Sequence, residues 1–245
     1  MNRGFYLAAT AMLIHERRLN SVSHNLANLR THGFKREEMT VGTFNEVLSF
    51  RLDAQGKTLI GSTENLQAVS EIAHYFDQAS ITSTQNPLDF AIMGEGFFEV
   101  VSNGQQLYTR NGSFMIDSQG YLALQNGQRV QGENGDIFIN HDRIVVNDYG
   151  MIFDQNGQFI DRIRIVSTQD YRSLVKQPNG LFSSDVPLEF IDTPLLQGSI
   201  EGSNVDMTQE LTKMMEIQRN FQSVANALKL IDRLNERAAN EIARL

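Results

Sequence analysis

Residues 214–245 read MMEIQRNFQSVANALKLIDRLNERAANEIARL. Met214, Ile217, Phe221, Val224, Leu228, Ile231, Ala238, Ile242 and Leu245 follow alternating steps of three and four, with Asn235 holding the register. That spacing places every member on one narrow helix face. The other end of the chain repeats the device. In RGFYLAATAMLIHERRLNSVSHNLANL, residues 3–29, the stripe is Phe5, Ala8, Met12, His15, Leu19, Val22, Leu26 and Leu29. A helix with one apolar seam needs a partner, so the two ends are expected to meet each other or copies of themselves. The fold class expected is α+β. Long N- and C-terminal helices pair as a coiled-coil-like layer, and a mostly antiparallel β-domain lies between them in sequence.

Helix punctuation agrees with this division. No Gly or Pro occurs from Val205 to Leu245, a run that would extend about 60 Å if wholly helical. Asn204 or Asp206 starts it, and Glu210 is placed to close a capping box with either. After the first helix, Gly33 is expected to take the left-handed position past the last turn. Asn25 and Asn28 are expected to cap carbonyls or to bond a neighbouring chain.

The middle reads differently. Residues 36–86 carry scattered Gly, Ser and Thr and predict short strands and loops, with weak strands at 40–44 and 58–60. From Leu88 to Val166 strand signals are dense, and Asn-Gly pairs at 103, 111, 126, 134, 156 and 179 punctuate them or follow shortly after. Ile116-Asp117, Gly120, Leu122, Asn126-Gly127 and Val130 recur thirty residues on as Val146-Asn147, Gly150, Ile152, Asn156-Gly157 and Ile160. Two copies fall short of a solenoid and predict two related hairpins in one sheet system. Residues 167–203 return to a loop style with Pro178, Pro187 and Pro194. The expected organisation is a helical core of 1–35 and 203–245, a connecting region of 36–86 and 167–202, and a β-domain of 87–166.

Charge follows the same partition. Residues 1–40 hold six Lys/Arg against three Asp/Glu, residues 205–245 six of each, and residues 41–204 nine against twenty. An acidic middle argues against nucleic acid and anionic membrane as partners. No apolar run approaches the length of a membrane span. The N-terminus begins like a signal peptide, but its periodicity continues through His15-Glu16-Arg17-Arg18 to Leu29. It is therefore expected to remain uncleaved. Cysteine is absent, which removes disulfides, thiolate metal sites and a thiol nucleophile together.

Catalytic, cofactor-binding and metal residues are not expected. His15, His24, His32, His74 and His141 show no metal-helix spacing. Gly94-Glu95-Gly96 lacks the following Lys and helix of a phosphate loop. Asp117-Ser118-Gln119-Gly120 lacks the later acidic ligand of a calcium loop. Carboxylates of the acidic middle read as solvated surface, and no motif supports a wall-trimming glycosidase or other carbohydrate-active enzyme. A binding module dimerising through its ends is the other alternative. His15 and Asn235 interrupt the stripes and read as register markers, ahead of a pH-switch role for His15.

Four segments together resemble the rod and hook family of axial proteins of the bacterial flagellum. They are Asn25-Leu26-Ala27-Asn28 with Thr31-His32-Gly33-Phe34-Lys35; Asn86-Pro87-Leu88-Asp89-Phe90 with Gly94-Glu95-Gly96-Phe97; Thr109-Arg110-Asn111-Gly112; and Glu201-Gly202-Ser203-Asn204-Val205 with Gln218-Arg219. His24 stands where the family usually has a second Asn. Length excludes the extra outer domain of hook proteins. The form of residues 201–205, the tail 232–240 and the lack of an extended insert after residue 45 favour a proximal over a distal rod subunit. The resemblance implies a structural protein that polymerises with itself and other rod subunits into a hollow helical drive shaft carrying torque from motor to hook. It implies passage through the flagellar export apparatus without a cleaved signal peptide, and a place in the basal body within the cell envelope. Neither nucleic acid nor membrane insertion is implied, and terminal helices that order on assembly are.

Overall fold

Both terminal stripes are helical from Phe5 to Leu26 and from Met214 to Ile242, and Leu29 lies past the first helix. α1 spans Arg3–Ala27 and α2 spans Met207–Ile242. The computed structural model describes residues 3–53, 56–139 and 144–242, so His141 and Leu245 lie outside the described residues. Asp206 caps α2: its Oδ1 accepts from the backbone N–H of Thr208 at 2.8 Å and of Gln209 at 3.1 Å. Glu210 does not close a capping box, because its carboxylate is buried against Asn25 of α1. Asn204 is not the cap either; its side-chain oxygen accepts from the Arg36 amide. Asp206→Ala is expected to cost about 1 kcal/mol. A lowered Tm and faster exchange of the Thr208 and Gln209 amides would register it.

The chain divides into two compact units. The first holds α1, α2 and a β-ribbon. In it the helices run antiparallel: Gly4 lies against Ile231 Cδ1, and Asn25 bonds Glu210. These two contacts are 21 residues apart along each helix. The ribbon pairs β1, Glu37–Asp53, with β2, Gly56–His74, from Glu37↔His74 out to Asp53↔Gly56. Seventeen residues of strand extend about 55 Å. The expectation of short strands and loops over 36–86 is therefore wrong for most of that segment. A two-stranded ribbon closes its ladder through backbone groups, without the alternating apolar pattern of a half-buried strand.

The ribbon also alters which face of α1 is buried. Ile14, Ser21, Val22 and Asn25 are its buried residues, and among them only Val22 belongs to the stripe. The reason is β1, whose first residue meets the flank of α1: the Glu37 carbonyl accepts from Asn25 Nδ2 at 2.8 Å and from Ser21 Oγ at 3.5 Å.

The second unit comprises residues 28–36 and 76–205, a wider span than 87–166. Its strands are β3 Ile81–Ser83, β4 Phe90–Ile92, β5 Phe97–Ser102, β6 Gln105–Thr109, β7 Phe114–Ile116, β8 Leu122–Leu124, β9 Arg129–Gly132 and β10 Gly135–Asp136. They continue as β11 Val145–Val146, β12 Met151–Phe153, β13 Phe159–Arg162, β14 Ile165–Ser167, β15 Leu174–Lys176, β16 Phe182–Ser184, β17 Glu189–Phe190, β18 Leu195–Gln197 and β19 Ser199–Glu201. The largest sheet runs β15-β16-β6-β5-β9-β8-β7, with β14 also on β5. Among the described residues the ladders are antiparallel, as in β5–β6 and β7–β8. The β5–β6 turn is Asn103-Gly104, with φ of 51° and 79°, the double positive φ that selects Asn-Gly for a two-residue hairpin.

Strand alternation sorts β5 between two cores. Phe98 and Val100 face a core with Phe90, Ile92, Leu122 and Ile152. Phe97 faces the other way, into Tyr108, Val166, Leu174 and Phe182, with Phe76 and Tyr171 against them. The sequence repeat is structural. Asp117 Oδ1 accepts from the Gln119 and Tyr121 amides, and Asn147 Oδ1 accepts from the Tyr149 and Met151 amides. The copies do not share a sheet: the first is β7-β8-β9 of the large sheet, the second the separate sheet β11-β12-β13.

Candidate functional site

The recognisable segments converge on buried polar junctions. In the β-unit the centre is Glu201, at the end of β19. Its Oε1 accepts from Lys35 Nζ at 2.7 Å and from the Ala79 amide at 2.9 Å; its Oε2 accepts from Arg110 Nε at 2.9 Å. The three side chains are 0–3% exposed. One carboxylate bonds both cations, and carbonyl oxygens accept from further N–H groups of each. Asp77 O takes Lys35 at 2.8 Å, while Gly96 O and Gly94 O take the two Arg110 terminal nitrogens at 2.6 Å each. Burial pushes the Lys35 ammonium and the Arg110 guanidinium below their ordinary pKa values, and the Glu201 carboxylate opposes this in both.

The neighbouring backbone belongs to the same construction. The Gly33 amide donates to Glu201 O at 2.9 Å, and Asn204 Nδ2 donates to Asp77 O at 3.2 Å. Gly33 has φ of +66°, yet it lies six residues past the end of α1. Its work is not to end the helix. A Cβ there would stand 2.3 Å from the Arg110 carbonyl carbon, so the position must be bare for the two segments to meet.

A second junction lies within the helical unit. Asn25 acts as a surrogate strand edge for β1, accepting from the Glu37 amide at 3.0 Å and donating to its carbonyl. The same Nδ2 reaches Glu210 Oε2 at 3.1 Å, and Lys213 Nζ donates to Glu210 Oε1 at 3.1 Å. His24 Nδ1 stands 3.0 Å from Glu37 Oε1.

The remaining motif residues shape turns and contacts. Thr31 Oγ1 donates to Asn28 Oδ1, and Lys176 Nζ stands 4.2 Å over the Phe34 ring. Asn86 Oδ1 accepts from the Leu88 amide, and Pro87 O accepts from Gln197 Nε2. Thr109 Oγ1 accepts from the Asn111 amide, Gly112 packs on the Phe90 carbonyl, and Ser203 Oγ accepts from the Val205 amide. Gln218 and Arg219 are exposed on α2.

Of the stripe residues, Met12, His15, Leu19, Leu26 and Leu29 are half-buried, and so are Met214, Ile217, Val224, Leu228 and Ile231. Phe5 is 44% exposed, Phe221 36%, and Asn235 is also exposed. Burial, then the Arg18 charge, lower the His15 pKa. Glu37, Asp77 and Ala79 were not singled out in the sequence. All three contribute backbone groups, which leave no side-chain signature.

Buried carboxylates in the β-unit are held by structural partners. Asp89 takes Thr84 and Ser113, Glu99 takes Arg164, and Asp161 takes Asn134. Burial raises the Glu99 pKa, and Arg164 counters it.

Comparison with known proteins bears on the family. Residues 91–181 match the family described as Flagellar hook protein FlgE/F/G D1 domain, and residues 196–241 match Flagellar basal body rod FlgEFG protein C-terminal. The flagellar basal-body rod protein FlgF of Caulobacter vibrioides is 31% identical over 252 residues, covering 100% of this chain and 98% of that protein. FlhO, a flagellar hook-basal body complex protein of Bacillus subtilis, is 26% identical with both chains covered in full. FlgG, a basal-body rod protein of the same bacterium, is 28% identical over 98% of this chain and 99% of its own. The chain belongs to the flagellar basal-body rod protein family.

Proposed function

We infer that the chain is a structural subunit of the flagellar rod, a part of the drive shaft and not an enzyme. Full-length similarity to proteins named as basal-body rod proteins carries this reading. The half-covered stripes supply a physical route. Apolar seams left partly open in one chain are completed when neighbouring subunits arrive, and a contact repeated head to tail without closure builds a filament. In this reading α1 and α2 form a coiled-coil-like inner layer of a hollow tube, and His15 and Asn235 mark register between subunits. The proximal rod is the position proposed, supported by the FlgF relative, with the distal rod as the alternative. Export through the flagellar apparatus and a place within the cell envelope go with it.

Two experiments test the assembly. Removing residues 1–30 should abolish incorporation into the rod and with it motility, while normal swimming would refute the seam mechanism. Phe221→Asp is sharper. Phe221 is 36% exposed in the single chain, so its substitution should cost the monomer about 1–2 kcal/mol and leave it folded. Rod incorporation should nonetheless be lost, because the charge would be buried against a neighbour. Wild-type incorporation of Phe221→Asp would remove this face from the interface.

A further inference from the structure

The chain passes between its two units after Ala27, Arg36, Tyr75 and Val205. All four passages run through three short segments of the β-unit: residues 28–36, 76–80 and 201–205. Each segment is bonded to both others. The first meets the third through Gly33 N–H to Glu201 O, Asn204 N–H to Phe34 O and Arg36 N–H to Asn204 Oδ1. It meets the second through Lys35 Nζ to Asp77 O. The second meets the third through Ala79 N–H to Glu201 Oε1, Gly202 N–H to Ser80 O and Asn204 Nδ2 to Asp77 O.

We propose that the Glu201 junction is a cooperative latch, which fastens the three connecting segments so that they open together or not at all. Partial opening has no inexpensive form. Withdrawing residues 201–205 leaves Lys35 and Arg110 as neighbouring buried cations without their carboxylate. Withdrawing 76–80 strips Lys35 of the Asp77 carbonyl and Glu201 of an amide. Withdrawing 28–36 removes Lys35 and leaves the Glu201 carbonyl and the Asn204 side chain short of donors. Each choice strands buried polar groups on the remaining segments. A chain so built cannot be unpicked one connection at a time by a load. The latch rests on this geometry alone, not on the rod reading, and its failure would leave that reading untouched.

Residue-resolved amide hydrogen exchange on the full chain tests it. In the native protein the amides of Gly33, Arg36, Ala79, Gly202 and Asn204 should exchange through one shared opening and respond alike to added denaturant. Asn204→Ala removes the acceptor of the Arg36 amide, whereas the Gly33 and Ala79 amides are bonded to Glu201. It should nonetheless accelerate all five about thirtyfold, the worth of the two hydrogen bonds its side chain makes, while amides of β5 and β6 keep their rates. Glu201→Gln should accelerate the same five amides, again sparing β5 and β6. Acceleration of Arg36 alone in Asn204→Ala would overturn the latch. So would unrelated native rates among the five, or equal acceleration of β5 and β6, which would reduce the junction to global stability.

Discussion

Replacing Glu201 by Ala is expected to destabilise the β-unit by about 3–5 kcal/mol, the usual effect of breaking a buried ion network from one side. The substitution removes the carboxylate that joins two buried cations, Lys35 and Arg110. It also removes the acceptor of the Ala79 amide. A loss of that size is a large fraction of a typical domain's 5–15 kcal/mol and should lower Tm by about 10 °C or more. Charge arithmetic gives the prediction an internal control. Lys35→Met takes away one cation and leaves Glu201 paired with Arg110, so no like charges face each other. It should cost clearly less than Glu201→Ala in the same thermal or denaturant unfolding. The reverse order would mean that packing, not charge balance, governs the junction.

Gly112→Ala should be comparably severe, for a reason that involves no charge. A Cβ at Gly112 would sit 1.8 Å from the Phe90 carbonyl oxygen and 3.1 Å from the Phe98 ring. The Phe90 amide is at the same time bonded to Gly112 O at 2.9 Å, so β4 cannot move away without surrendering that bond. Overpacking against backbone in a core that includes Phe90, Phe98 and Phe114 is expected to cost about 3 kcal/mol or more. Gly127→Ala is the matched control. Its φ is +84° and a Cβ there would meet nothing within 4 Å, so only the left-handed backbone penalty of about 1 kcal/mol applies. Equal losses at the two positions in urea unfolding would show that Phe90 and Gly112 are not in close contact.

Those substitutions also mark where the sequence was readable. The terminal helices were, because 3.6-residue periodicity is a local property carried by side chains a few residues apart. Asn103-Gly104 was readable as a hairpin because the turn demands positive φ at both residues. Gly33 and Gly112 stood out as motif glycines, but nothing near them in sequence shows that one must clear the Arg110 backbone and the other the Phe90 carbonyl. The β1–β2 ribbon is not legible, because its ladder leaves a weak side-chain pattern, and the flank of α1 that carries Ser21 and Asn25 is illegible with it.

The helical ends, the β-rich middle and, through four ordered segments, the family are legible in the amino-acid order. Each is encoded in local periodicity, turn chemistry or a short run of residues. What those segments do emerges in the folded chain. Lys35 and Glu201 are 166 residues apart, Arg110 and Glu201 91, and Asn25 and Glu210 185. A salt bridge or hydrogen bond across such distances depends on where the fold brings two backbones together. A carboxylate left to water and one enclosed between two cations look the same along the chain, and burial alone makes Glu201 the second.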